Sequence, residues 1–152
     1  MKNNLIYLLL AWTIFSCNES TPSVPESDKY EHVHHDAIST DSLNLNNGKK
    51  WQGDSVTKAN VSSLQAVVQE TIAISNPGQK EYNNAGISLK NQLDKLINEC
   101  RMQGPDHEAL HKWLTPLFNK VSALVKTQDS KEASELIEEI HMHLNTFNTY
   151  FE

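Results

Sequence analysis

Leu96-Ile97-Asn98-Glu99-Cys100-Arg101-Met102-Gln103-Gly104-Pro105-Asp106-His107-Glu108-Ala109-Leu110-His111 is the stretch on which the reading of this chain turns. Upstream of it, apolar residues recur at helical spacing through Tyr82, Ile87, Leu89, Leu93, Leu96, Ile97 and Cys100. Gly104 then takes the position just past a helix end, and Pro105 enforces the break. Downstream, Leu110, Leu114, Leu117, Phe118, Val121 and Leu124 form a second stripe, with Val125 alongside, from a start at Pro105 or Asp106. The stretch is therefore a tight helix–turn–helix. Pro116 cannot donate to the carbonyl of Lys112, which predicts a kink one turn beyond His111.

Working outward gives one more helix on each side. Asp54 or Ser55 can cap a first helix whose stripe reads Val56, Leu64, Val67, Val68 and Ile72, stopped by Asn76-Pro77-Gly78. A second opens near Gln79 to Tyr82. Asp129 and Glu132 are spaced as a capping box for a fourth, with Ala133, Leu136, Ile137, Ile140, Leu144, Phe147 and Phe151 inward and Glu132, Glu135, Glu138 and Glu139 outward. Asn46-Asn47-Gly48-Lys49-Lys50 is a turn signal leading to Trp51, which is expected to cap one end of the core. No alternating run of strand length and no internal repeat is present. The expected fold is all-α, an antiparallel up-down-up-down four-helix bundle over residues 51–152, after a disordered N-terminal linker.

The chain opens with a basic residue, Lys2, and an apolar run from Leu5 to Phe15 that is short for a bilayer span. The run ends at Ser16-Cys17, which resembles a bacterial lipoprotein signal. Residues 1–16 are read as a signal peptide and Cys17 as the lipidated mature N-terminus; a plain secretory signal or an anchor helix is the alternative. Residues 17–50 then form a spacer, rich in Ser, Pro, Glu, Asp and Asn up to about Asp41 and too polar to offset its chain entropy. The expected location is the cell envelope, on the periplasmic face of the outer membrane, held by lipid. A net charge of −6 argues against nucleic-acid partners and against electrostatic binding to anionic lipid. With Cys17 used by lipid, Cys100 has no intramolecular partner, and a lone thiol in an exported protein suggests a metal ligand, a reactive group, an intermolecular partner or a plain buried residue.

All seven histidines fall near one end of the expected bundle or on the spacer. Counted from the Gly104 turn, Cys100 shares a height with His107; counted from the turn at Thr127 to Ser130, His141 and His143 lie within a turn of His111. Cys100, Met102, His107, His111 and His143 are the candidate metal ligands, with His141 as the alternative to His143. His107 and His111, four apart, offer two imidazoles on one helix face. Thiol, thioether and imidazole donors point to Cu(I) or Zn(II). Glu31-His32-Val33-His34-His35-Asp36 on the spacer is either a metal-capturing arm or a polar linker that carries histidines.

The same residues carry a competing motif, since His107-Glu108-Ala109-Leu110-His111 matches H-E-x-x-H, in which two histidines hold zinc and the glutamate activates water. Leu114 and Leu117 stand where the metzincin extension needs Gly and His, and no sheet is expected beside the helix. Haem held by Met102 or Met142 with His107 or His143 lacks any selecting feature, and no C-x-x-C-H occurs. A metal-free structural or interaction module of the envelope, with Cys100 and His107 buried and hydrogen-bonded, is the alternative from a different class.

Leu45-Asn46-Asn47-Gly48-Lys49-Lys50-Trp51, Cys100-x-Met102-x-Gly104-x-x-His107-x-x-x-His111-x-Trp113-Leu114 and Thr149-Tyr150-Phe151 together resemble small uncharacterised lipoproteins and exported helical proteins of Bacteroidetes-type bacteria associated with heavy-metal efflux systems. The resemblance implies a metal-associated role for Cys100, Met102, His107 and His111 and an efflux component as partner. The expectation is a metal chaperone, buffer or sensor, not an enzyme.

Overall fold

The computed structural model describes residues 43–152, so the signal peptide expected over residues 1–16, the lipidation expected at Cys17 and the tract with His32, His34 and His35 lie outside the described residues. The described chain is all-helical: α1 Ser55–Ile72, α2 Gln79–Glu99, α3 Gly104–Lys126, α4 Ser130–Asn145 and a single turn, α5, Phe147–Tyr150. Among the described residues β-structure is limited to two isolated bridges, Asn46 with Lys49 and Trp51 with Phe151. α1 packs on α2 and α4, and α3 packs on the same two helices. Leu64, Leu89, Leu117 and Leu124 from three of the helices are fully buried, as are Ile140 and Leu144 of α4.

α1, α2 and α4 start where a side chain satisfies otherwise orphaned backbone N–H groups, whereas α3 opens with Gly104-Pro105 and no side-chain cap. Asp54 Oδ1 accepts from Thr57 N at 2.6 Å to open α1, Glu81 accepts from Gly78 N at 2.9 Å to open α2, and Asp129 accepts from Lys131 N and Glu132 N to open α4. The expected capping box at α4 is only half made. Glu132 instead accepts from the Thr127 hydroxyl, whose oxygen in turn takes Asp129 N. α3 runs on through Pro116. Asn47 and Gly48, at φ 52° and 83°, make the paired turn in which Asn46 and Lys49 exchange both backbone hydrogen bonds, the geometry that Asn-Gly favours.

Two features depart from the periodicity. The buried face of α1 carries Thr57, Asn60 and Thr71 beside Val61, Leu64 and Val68, while Val56 and Ile72 are exposed. Polar residues hold inward positions because their groups are satisfied there. Asn60 donates to the Val56 carbonyl and to Glu99 of α2, and Thr71 donates to the Val67 carbonyl. On α2, Ile87 and Ile97 face outward and Ala85 and Gly86 face inward. A Cβ on Gly86 would lie 3.2 Å from Val125 Cγ2 and 3.4 Å from Leu124 Cγ, so glycine sets how closely α2 approaches α3.

The end of α2 is corrected as well. α2 stops at Glu99; Cys100 is already extended, at φ −57° and ψ 133°, and Gly104 begins α3, not the segment after α2. What draws the chain out of the helix is Asp54, whose second oxygen accepts from Arg101 N at 3.0 Å. Burial pushes the Asp54 carboxyl up, but hydrogen bonds from Thr57 and Arg101 and the Arg101 charge outweigh it and hold the group below its ordinary value. Asp54→Ala removes a helix cap and the Arg101 tie, and is expected to cost about 1–2 kcal/mol in chemical denaturation near neutral pH. A lowered folded value means that this contribution is present above the ordinary value of 3.8 and is lost as pH falls through the folded one. The gap between variant and parent should therefore close on acidification.

Candidate metal centre at the start of α3

Three chain segments meet at the end of the helices where α3 begins. Residues 51–53 lie beside the C-terminal residues: Trp51 N donates to Tyr150 O, Glu152 N to Trp51 O and Gly53 N to Glu152 O, at 2.8–2.9 Å. Gln52 N donates to Asp106 Oδ1 in the first turn of α3 at 2.9 Å. The Trp51 indole donates to the Asn44 carbonyl at 2.7 Å. Leu43, Asn44, Leu45 and Trp51 line a depression of about 150 Å³ against Pro105, Glu108, Ala109 and Lys112. Trp51 thus holds the entering strap at this end, beside the start of α3.

One turn into α3 stand the two imidazoles. His107 is half-buried and His111 exposed, and their Nε2 atoms are 3.0 Å apart. The rings are perpendicular, with centroids at 4.4 Å. At that separation one Nε2 carries a hydrogen and the other presents a lone pair. Two bonds of about 2.0–2.1 Å to one zinc ion place their nitrogens about 3.4 Å apart at a tetrahedral angle and about 2.9 Å at a right angle. The observed spacing falls between those limits, and for both nitrogens to share a cation the hydrogen between them must leave Nε2 and both lone pairs must turn to a common point.

The other predicted ligands are engaged elsewhere. Cys100, a free and half-buried thiol, faces Thr57, whose hydroxyl is 3.8 Å from Sγ. Met102 packs against the hydrophobic core. His143 faces α3, with Nε2 at 2.8 Å from the Trp113 carbonyl and its ring at 5.0 Å from the indole; a carbonyl only accepts, so Nε2 bears the proton. His141 is half-buried on α4. Among the described residues no three of His, Cys, Asp and Glu come together as a ligand set. The geometry joins two of the five candidates, on one helix, and disperses the rest. For the H-E-x-x-H reading, this leaves Glu108 beside a histidine pair with no third protein ligand among the described residues.

Burial lowers the proton affinity of His143; the Trp113 carbonyl opposes this, and the Lys120 charge adds to it, leaving the value below the ordinary 6.5. The unfolded chain therefore binds a proton more readily, and His143 contributes stability above 6.5 that is lost as pH falls through the folded value. Denaturation midpoints should fall on acidification from about pH 8 to 5.5. His143→Gln, which keeps a donor for Trp113, should flatten that dependence; an unchanged slope would remove His143 as its source.

Two structural features gave no signal in the periodicity. One is the pairing of residues 51–53 with 150–152, which joins segments about a hundred positions apart. The other is Asp106, whose carboxylate receives the strap beside His107. An acidic residue in a helix first turn ordinarily reads as favouring the dipole. No helix among the described residues is long and apolar enough to cross a membrane. Comparison of the chain with protein-family models, curated proteins and solved structures gives no match.

Proposed function

We propose that the chain is an exported, lipid-anchored protein that binds a transition metal, serving as a chaperone, buffer or sensor in the envelope and not as a catalyst. The observation that carries this is the 3.0 Å separation of His107 and His111 Nε2 on consecutive turns of α3. Imidazole donors suit a borderline cation. With Cys100 turned to Thr57 and Met102 packed against the core, the donor set argues for Zn(II) over the Cu(I) that a thiolate would have favoured. The scaffold would be an antiparallel up-down-up-down bundle, supported by the short links 73–78, 100–103 and 127–129 and by the packing of α1 and α3 on α2 and α4. Anchorage through Cys17, an outer-membrane periplasmic location and an efflux component as partner complete the reading. Elemental analysis of protein isolated from its native envelope without chelators should find zinc, or failing that copper, near one atom per chain. A chain free of both metals would count against the proposal.

A metal-free interaction module is the second reading. It is favoured by the way Cys100 and His143 are spent on Thr57 and on the Trp113 carbonyl, and by the hydrogen bond that His107 and His111 can make to each other. The two readings separate on whether zinc displaces that imidazole–imidazole contact.

A further inference from the structure

We infer that the groove between α2 and the C-terminal half of α3 binds one free medium-chain fatty acid, with its carboxylate held by Lys126 and Lys90 and its alkyl chain lying along the groove floor. The site is in the half of α3 remote from His107 and His111, and the inference does not rest on the zinc reading. Gly86 lets α2 close on Leu124 and Val125, and beyond that contact the two helices border an open groove of about 280 Å³. Small-molecule sites run from about 300 to 1,000 Å³, so this one suits a single short alkyl chain and not the paired chains of a membrane lipid. Leu93 and Val121, 1% and 2% exposed, form its floor. Phe118 is only half-buried and Val125 is exposed, which leaves apolar wall facing solvent. Ile97, one turn past Leu93 on the same face of α2, is exposed as well and continues the apolar strip. An alkyl chain laid here removes both its own surface and these walls from water.

The charges on the rim select the head and its direction. Lys126 stands at the Gly86 end, in the last turn of α3, and Lys90 follows Gly86 by one turn of α2. Asp94 is a further turn away and marks the other end. Lys90 pairs with Asp94 at 2.7 Å, but their side chains are 61% and 50% exposed, so the pair is weak and Lys90 can turn to another anion. The Lys126 side chain has no ion pair or hydrogen bond among the described residues. A lysine in a last helical turn favours the helix dipole, which holds its charge at the groove without neutralising it. Ser122, one turn before Lys126 on the same face, adds a hydroxyl donor for a carboxylate. Two lysines against one aspartate make the groove net positive in a chain of net charge −6. With cations at one end and the carboxylate of Asp94 at the other, an anionic amphiphile fits one way round: head at Lys126, tail past Phe118 toward Ile97. The stretch of α3 from Lys126 back to Phe118 spans about 12 Å.

Calorimetric titration of the mature chain with sodium dodecanoate, below its micelle concentration, tests this, with dodecyltrimethylammonium as the cationic control and methyl NMR signals to report the place. Dodecanoate should saturate at one per chain and shift the methyl signals of Leu93 and Val121. Lys126→Glu should weaken it about tenfold or more, the loss expected for a charge-assisted hydrogen bond. Ser122→Trp, which fills the groove from an exposed rim position, should abolish binding; Lys126 is also solvent-facing, so its variant decides the matter if the tryptophan variant does not fold. Equal binding of the anionic and cationic amphiphiles, or undiminished binding in Lys126→Glu, would overturn the inference by reducing the groove to non-specific apolar adsorption. Absence of saturable binding would overturn it outright. Binding to phosphatidylglycerol vesicles in preference to dodecanoate would give the face to a membrane instead, and self-association of the ligand-free chain that Ser122→Trp breaks would give it to a second copy.

Discussion

Replacing His107 and His111 together by alanine is expected to lower zinc affinity by at least about 100-fold, while leaving the fold near its parental stability. Loss of a partner that merely orients a ligand already costs about 10–100-fold at metal sites, and here two imidazole nitrogens, 3.0 Å apart, are removed at once. The fold should tolerate it because His111 is exposed and His107 half-buried, and alanine is the best helix former. Far-UV circular dichroism and a denaturation curve alongside the zinc titration separate lost ligation from lost structure. Single substitutions should each give a weakened site. A double variant that binds zinc as the parent does would remove α3 from the metal chemistry.

The second large effect belongs to the buried face of the same helix. Trp113 is 2% exposed. Its indole donates to the Thr146 hydroxyl at 3.0 Å, and the ring meets Phe147 at 5.1 Å and Phe151 at 6.4 Å. It joins α3 to α4, α5 and the C-terminal residues that pair with Trp51. Trp113→Ala should cost about 3–5 kcal/mol, the range for large aromatic truncation in a core. At about 4–8 °C per kcal/mol for a domain near this size, the melting temperature should fall by more than about 12 °C. A loss below about 1 kcal/mol would mean that the indole is not buried as described.

The helices were legible because their stripes are strong and their stops are chemically explicit: Asn76-Pro77-Gly78 after α1 and Asp129 before α4. The His107–His111 pair was legible for the same reason, since a spacing of four fixes two side chains on one face whatever surrounds the helix. The height of Cys100 is not legible from its distance to Gly104, because α2 does not reach it. The helix in fact ends at Glu99, where Asp54, forty-seven positions away, takes Arg101 N and the chain turns extended. No local pattern encodes such a tie. Helical spacing counts Val56 and Ile97 in the apolar stripes, yet both are exposed, and on α1 Asn60 and Thr57 take buried positions by bonding to Glu99, Asp54 and Cys100. The inward turn of His143 followed from its spacing to Ile140; that Trp113 would occupy it did not.

The most direct measurement is a zinc titration of the mature chain followed by the imidazole nitrogens in long-range ¹H–¹⁵N spectra. The account predicts that the Nε2 signals of His107 and His111 move together and saturate at one zinc per chain, while His143, bonded to the Trp113 carbonyl, keeps its Nε2–H tautomer. Saturation with both α3 histidines unmoved, or retention of their mutual N–H···N contact, would contradict it.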